Sequence, residues 1–227
     1  ILLQCAEATT REDLDEVIRR IKKIFDQEGE GVSLLTNGIK LADISYLERL
    51  VEAGLDKIYL SLHLRKDLTK DVYYKKIEAL ENIVRVMGEC ESVMFTIDNL
   101  DDVQLVLNEI REMSTKRIKQ FRIRTAQNFG KTHNASPIFM SELYNEIQRI
   151  GALDSTPIDF MPEMDNNIFN YNVKYGDIPL RLITCPDKYT IDLNINDRFG
   201  PMRIAKDGII YNFIYSVILD ERGYKHG

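Results

Sequence analysis

The stretch ILLQCAEATTRED, residues 1–13, decides the fold of this chain. It begins as an apolar run typical of a β-strand, passes through a short polar turn that carries Glu7, and continues into the pattern of an amphipathic helix. Glu7 therefore follows the carboxyl end of a strand, where α/β folds place their functional groups. Because the chain has no initiating Met and starts within a strand, we expect it to be part of a longer polypeptide.

Strand and helix patterns alternate from this stretch to residue 151. Four further apolar runs predict strands at residues 32–36, 57–62, 92–97 and 118–124. Helical periodicity predicts helices at residues 11–25, 45–51, 71–87 and 137–150, and one more, capped by Asp98 or Asn99, with its apolar stripe at residues 103–113. This alternation is typical of βαβ units, so we predict an α/β fold with a parallel sheet.

Two finer features of these helices follow from the same patterns. Thr9 or Thr10 precedes the first helix and is predicted to cap it, since threonine hydroxyls accept hydrogen bonds from the first turn. The third helix, at residues 71–87, is predicted to face the core with Ile77, Leu80, Val84 and Met87.

Residues 152–227 follow a different pattern. Residues 152–178 are rich in Asp, Asn and Pro and show no sustained helical period. Short strands are predicted at residues 180–184, 189–193, 202–205 and 209–213, the last two joined as a hairpin through Lys206, Asp207 and Gly208. We therefore divide the chain into an α/β domain at residues 1–151 and a β-rich extension at residues 152–227.

Composition excludes several classes of partner. The net charge of −6 and the isoelectric point near 5.2 argue against a general surface for nucleic acid or anionic membranes. No apolar run approaches the length of a membrane span, and no secretory leader is visible, so a cytoplasmic location is expected.

The three cysteines, Cys5, Cys90 and Cys185, form no CxxC or zinc pattern. Each is predicted to be a reduced thiol that packs as a small apolar residue. These residues alone are not expected to hold a metal ion or cluster.

Polar side chains at the predicted strand ends form a candidate site. They are Glu7, Thr36, Asn37, Ser61, His63, Thr96, Asp98, Arg122 and Arg124. Their acceptors, hydroxyls and guanidinium groups suit a zwitterionic or polyhydroxyl ligand. The paired carboxylates of a glycosidase, a GxSxG elbow and a GxxxxGKS phosphate loop are all missing from the sequence, so the pattern favours binding over acid–base chemistry and assigns no catalytic residue.

Seven of these nine residues also have a structural alternative. Glu7 would complement a helix dipole, Asn37 before Gly38 suits a turn, and Ser61 is small enough for a packed layer. The alternative for the remaining members is a helix cap at Asp98, a packing or surface role for His63, and a solvated edge charge at Arg122 or Arg124.

Four segments resemble radical S-adenosylmethionine (SAM) enzymes. CAEATTREDLDEVIRRIK, residues 5–22, is similar to the GGEPTLRxDLxEIIxxxK turn of that family. SLLTNGIKL at residues 33–41 and LERLVEAGLDKIYLSLH at residues 47–63 resemble its TNGxxL and LxxAGLDxVxxSLD motifs. QFRIRTAQNFGK, residues 120–131, is similar to a later strand and its glycine loop. The resemblance covers about residues 1–150, and its most specific part runs from Thr36 to His63.

The resemblance implies a partial (βα)6 TIM-type barrel that binds SAM and a 4Fe–4S cluster. Reductive cleavage of SAM would give a 5′-deoxyadenosyl radical, with an electron from a reductant such as flavodoxin or ferredoxin. The substrate, a small molecule or a peptide, is not indicated. Because the CxxxCxxC motif that follows the family's first strand is absent here, we expect the chain to lack the first βα unit and the cluster ligands to lie upstream of Ile1.

By the same resemblance, five residues would bind SAM. Glu7 would accept hydrogen bonds from the SAM amino group, and Thr36 and Asn37 would line the cavity. Ser61 and Arg124 would contact the carboxylate or the ribose.

The chain also departs from the family pattern. Cys5 and Ala6 stand where the family has two glycines, Ala8 where it has proline, and His63 where it commonly has Asp. These changes favour an alternative hypothesis, a protein of this fold without the cluster that acts as a binding or scaffolding partner. A TIM-type lyase or aldolase ranks last, because no lysine lies at a predicted strand end to form a Schiff base.

Overall fold

The computed structural model describes residues 1–4, 7–25, 31–125, 138, 140–151, 163–165, 168–184, 202–204 and 210–212. Within these ranges the chain is mixed α/β, as predicted. The strands are β1 (Leu2–Leu3), β2 (Val32–Thr36), β3 (Leu55–Leu62), β4 (Ser92–Ile97), β5 (Phe121–Thr125), β6 (Glu163–Asp165), β7 (Ile168–Tyr175), β8 (Ile178–Thr184), β9 (Met202–Ile204) and β10 (Ile210–Asn212). The helices are α1 (Leu14–Phe25), α2 (Ile44–Glu52), α3 (Lys70–Met87), α4 (Val103–Met113) and α5 (Met140–Arg149).

The chain divides into two compact units, and the first contains the parallel sheet. It comprises Ile1–Thr96, Gln104–Ile123 and Asp177–Leu180. Strands β1 to β4 pair in chain order, all in parallel, and β5 lies next to β4. Because these strands run in the same direction, their carboxyl ends share one edge of the sheet. The parallel α/β arrangement is therefore confirmed, and it places the residues that follow β1, β2 and β3 at that edge.

Strands β2 and β5, and β3 from Ile58 onward, bury alternate residues, since successive side chains point to opposite faces. On β2, β4, β5 and this part of β3 one face is buried, whereas the other face keeps partial exposure, except that β4 also buries Ser92 and Met94. The buried positions include Leu34, Ile58, Leu60, Phe95, Phe121 and Ile123. The partly exposed positions include Leu35, Tyr59, Ser61, Thr96 and Arg122. Most of the predicted site residues on strands therefore lie on the partly exposed face.

The first helix starts later than the sequence predicts. Helix α1 begins at Leu14, and Thr9 and Thr10 lie in a separate 3₁₀ turn, Ala8–Thr10. The cap of that turn is Glu7, whose carboxylate accepts a hydrogen bond from the Thr9 N–H. The prediction of Thr9 or Thr10 as the cap of α1 was wrong, because the carboxylate closes a short turn before the helix begins.

The second unit comprises Ile97–Val103, Arg124–Gly176 and Arg181–Gly227. In it β6 pairs with β7, and β9 pairs with β10, both antiparallel. The latter pairing matches the predicted hairpin strands, whereas the predicted strand at residues 189–193 lies outside the described residues. Strand β7 lies in a region for which we predicted no element, although its Asn170, Asn172 and Lys174 alternate with apolar residues. The proposed boundary after residue 151 stays a prediction.

Candidate functional site

The carboxylate of Glu7 joins the chain beyond β1 to the carboxyl end of β2. Its Oε1 accepts hydrogen bonds from the hydroxyls of Thr9 and Thr36, each at 2.6 Å, and from the Thr9 N–H at 3.3 Å. Its Oε2 accepts the N–H of Asn37 at 2.7 Å. Glu7, which follows β1, and Asn37, which follows β2, therefore meet through the half-buried carboxylate of Glu7.

These hydrogen bonds keep Glu7 ionised. Burial raises its pKa, but the donors on Thr36, Thr9 and Asn37 together outweigh that effect, so the pKa lies below the ordinary value for glutamate. Oε2 accepts a single N–H from the described residues, and a carboxylate oxygen has room for two donors. A charged acceptor with remaining capacity at the edge of a sheet suits the ammonium group of a ligand.

The turn after β2 depends on its own side chains. The Thr36 hydroxyl accepts the N–H of Gly38 at 3.1 Å, and the Asn37 side-chain oxygen accepts the N–H of Ile39 at 2.9 Å. Gly38 has a φ of 81°, and a Cβ there would lie 2.4 Å from a methyl carbon of Leu60. Only glycine fits this left-handed position against the core. Asn37 thus has the turn-forming role given as its alternative, while its N–H also holds Glu7.

Lys76 of α3 reaches the same edge and was missed by sequence reasoning. The residue is 2% exposed, and its Nζ donates to the carbonyl oxygens of Asn37 at 2.9 Å and Ser61 at 2.8 Å. Burial lowers the pKa of Lys76 to about 8, and the negative charge of Glu7 partly opposes this effect. A buried ammonium therefore connects the carboxyl ends of β2 and β3.

The reason for missing Lys76 lies in the predicted face of α3. We expected Ile77, Val84 and Met87 to be buried together with Leu80, but of these four only Leu80 is buried. The helix instead buries a stripe at the i, i+3, i+4 and i+7 spacing, which consists of Lys76, Ala79, Leu80 and Ile83. A search for apolar periodicity rejects a stripe that begins with lysine, so the signal was present but was assigned to the wrong face.

The other predicted site residues take several positions. Ser61 is half-buried on β3, and its main-chain carbonyl accepts a hydrogen bond from Lys76, which also donates to the carbonyl of Asn37. Arg124 is half-buried on β5 and belongs to the second unit.

The structure describes the surroundings of Arg122 and His63, and it does not give Asp98 the cap role predicted as its alternative. The Arg122 guanidinium lies 4.6 Å from the ring centre of Tyr59, a cation–π contact. Partial burial lowers the pKa of the outward-facing His63, and the nearby Lys76 ammonium lowers it further. Asn99, not Asp98, caps the 3₁₀ turn before α4 by accepting the N–H of Asp101.

The described residues do not fit an iron–sulfur cluster. Among them, no group of three or more His, Cys, Asp or Glu side chains is placed to hold a metal ion. Cys90 is buried, as predicted, and burial raises the pKa of its thiol to about 12. A thiol that resists ionisation is a poor metal ligand. Cys5 and Cys185 lie outside the described residues.

Similarity to curated proteins decides the relationship of this chain. No family model matches it. A protein named "Probable GTP 3′,8-cyclase" from Methanococcus aeolicus is 39% identical over 187 residues, covering 74% of this chain and 62% of the relative. A protein of the same name from Saccharolobus islandicus is 32% identical over 177 residues, covering 77% of this chain and 50% of the relative. GTP 3′,8-cyclases are radical SAM enzymes. This chain is a relative of the radical SAM superfamily.

The relationship confirms the resemblance found in the sequence. A third relative of the same name, from Sulfurisphaera tokodaii, is 34% identical over 90 residues, which cover 39% of this chain and 26% of the relative. The matches to Methanococcus aeolicus and Saccharolobus islandicus span about half to three-fifths of the length of those proteins.

Proposed function

We propose that this chain is part of a radical SAM enzyme that cleaves SAM to a 5′-deoxyadenosyl radical and acts on a small-molecule or peptide substrate. Its relationship to GTP 3′,8-cyclases supports the enzyme class. The 4Fe–4S cluster would supply the electron for cleavage, and we propose that its ligands lie upstream of Ile1, since the described residues do not fit it.

The observation that carries this proposal is the arrangement of the Glu7 carboxylate. It is ionised, held rigidly by hydrogen bonds from Thr9, Thr36 and Asn37, and keeps acceptor capacity on Oε2. We propose that Oε2 accepts a hydrogen bond from the SAM ammonium. In this proposal Thr36 and Asn37 line the SAM cavity and Ser61 contacts the SAM carboxylate or ribose. Arg124, which belongs to the second unit, stays a prediction from the sequence.

The proposal includes the architecture and setting of the enzyme. We propose that the parallel sheet of the first unit belongs to a partial (βα)6 barrel. None of the helices that the structure describes is long and apolar enough to cross a membrane. A cytoplasmic location and reduction by a flavodoxin or ferredoxin stay predictions from the sequence.

The complete gene product tests the enzymatic proposal. Purified without oxygen and reconstituted with iron and sulfide, it should show the visible absorbance of a 4Fe–4S cluster. On reduction it should convert SAM to 5′-deoxyadenosine. A gene that encodes no three closely spaced cysteines upstream of Ile1 would contradict the proposal.

A second candidate is favoured by residues 5 and 6. Cys5 and Ala6 stand where radical SAM enzymes have glycines that let the main chain approach SAM. Side chains at these positions would favour a protein that has lost the cluster and acts as a binding or scaffolding partner. The double variant Cys5→Gly, Ala6→Gly separates the candidates. A protein that lacks the remaining SAM site should still bind no SAM when both glycines are present.

A further inference from the structure

Lys76 carries a charge that α3 buries at the candidate site. The residue is 2% exposed, and transferring an ammonium from water into a protein interior is costly unless the group is hydrogen-bonded. The described structure provides two such bonds, to the carbonyl oxygens of Asn37 and Ser61. An apolar residue would fill the stripe with Ala79 and Leu80 without that cost, so the lysine has a role beyond packing.

The two carbonyl oxygens belong to residues of the proposed SAM site. Asn37 is the residue whose N–H donates to Glu7 Oε2 at 2.7 Å, and Ser61 lies at the carboxyl end of the neighbouring strand. We infer that Lys76 is a positioning residue for this site: its ammonium fixes the ends of β2 and β3 relative to each other and thereby holds the Asn37 peptide against Glu7. This inference rests on the proposed binding of SAM at Glu7.

A second side chain of α3 acts on the same segment. The amide nitrogen of Asn82 donates to the carbonyl oxygens of Leu41 and Ala42 at 3.1 and 2.9 Å. Helix α3 therefore holds the chain after β2 at two places, one at Asn37 and one at the 3₁₀ turn Ile39–Ala42. Of these two anchors, only Lys76 also contacts β3 and carries a charge near Glu7.

The charge on Lys76 gives the inference a signature that packing would lack. Its ammonium is present below about pH 8 and is lost above it, because burial lowers its pKa to about 8. Among the described residues, the titratable groups that interact with it electrostatically are Glu7, which follows β1, and His63, which follows β3. Both lie in the first unit, and neither changes its protonation state between pH 8 and pH 9, since glutamate and histidine titrate at lower pH.

The test compares SAM affinity in wild type, Lys76→Met and Lys76→Arg, with Lys75→Met as the matched control on an exposed position of α3. We expect Lys76→Met to bind SAM at least about ten-fold more weakly at pH 7, because the Asn37 peptide is then no longer held against Glu7. Lys75→Met should bind as wild type does. The ratio of wild-type to Lys76→Met affinity should fall as pH rises through 8, and the titration of the SAM amino group cancels from that ratio.

Equal affinities of wild type and Lys76→Met at pH 7, or a ratio that stays constant from pH 7 to pH 9, would overturn the inference. If Lys76→Met does not fold, the comparison uses Lys76→Arg. Arginine stays charged over this range, so the wild-type affinity for SAM should fall relative to that of Lys76→Arg as pH rises from 7 to 9. A constant ratio of these two affinities overturns the inference. If wild type binds no SAM, the proposed function fails separately. Amide exchange then decides the role of Lys76, since the Asn37 N–H should exchange faster in whichever variant lacks the ammonium, and unchanged exchange contradicts it.

Discussion

The hydroxyl of Thr36 donates to Glu7 Oε1 at 2.6 Å and, at the same time, accepts the N–H of Gly38 at 3.1 Å. This one buried side chain therefore orients the carboxylate and shapes the turn that brings the Asn37 N–H to Oε2. Position and charge of Glu7 are thus set by a strand end that lies 29 residues away in the sequence.

The Thr36 hydroxyl should contribute measurably to stability. Replacing Thr36 by Val keeps the shape but leaves the Gly38 N–H without its acceptor, which should lower the free energy of unfolding by about 1–3 kcal/mol. Denaturant unfolding measures this change, and Thr115→Val at an exposed position is the control, with an expected effect within about 0.5 kcal/mol. Equal stabilities of the two variants would show that the hydroxyl is not needed.

Alanine substitutions at Gly38 and Gly88 distinguish the cost of backbone strain from the cost of a steric clash. Both have a positive φ, 81° and 87°, but a Cβ at Gly38 meets Leu60 at 2.4 Å, whereas one at Gly88 meets nothing within 4 Å. Gly88→Ala should cost about 1–2 kcal/mol for the left-handed conformation alone. Gly38→Ala should cost a further 1–3 kcal/mol, roughly, because the core must shift. Thermal unfolding of the two variants gives the difference, and equal losses would contradict the contact with Leu60.

Glu7 should contribute stability that acid removes. Its pKa is lower in the folded protein than its ordinary value, so its contribution is complete above about pH 5 and is lost as pH falls through the folded-state pKa. The difference in unfolding free energy between wild type and Glu7→Gln should therefore shrink as pH falls below about 4. A difference that is constant with pH would mean that the hydrogen bonds do not favour the carboxylate.

Lys76 should make stability rise in the alkaline range. Its folded-state pKa of about 8 is below the unfolded value, so between these values the unfolded chain binds more protons than the folded chain. Relative to Lys76→Met, wild type should gain up to about 3 kcal/mol of unfolding free energy between about pH 8 and 10.4. This trend is opposite to the expected loss of SAM affinity. Chemical unfolding at several pH values measures it, and a flat difference would place the Lys76 pKa near its ordinary value.

The sequence predicted the elements of the parallel sheet because their signals are local. Alternating apolar residues mark β3, for example, and Asn37 before Gly38 marks the turn after β2. Glu7, Thr36 and Asn37 were also correctly expected at one edge, since parallel strands bring their carboxyl ends together.

Features that depend on tertiary contacts were not predictable in the same way. Lys76 was missed because its burial is compensated by carbonyl groups that are 15 and 39 residues away in the sequence. The late start of α1 depends on a carboxylate that competes for the first turn. Strand β7 was missed because asparagine, which is uncommon in strands, occupies two of its positions.

The central claim, that Glu7 binds the SAM amino group, is tested most directly by calorimetric titration of SAM into wild type and Glu7→Gln at neutral pH. The matched control is Glu12→Gln, which changes an exposed carboxylate nearby in the sequence. We predict that Glu7→Gln weakens binding by about ten-fold to a hundred-fold, as expected for loss of a charge-assisted hydrogen bond, and that Glu12→Gln binds as wild type does. Equal affinities of wild type and Glu7→Gln would contradict the claim and leave Glu7 as the cap of a turn.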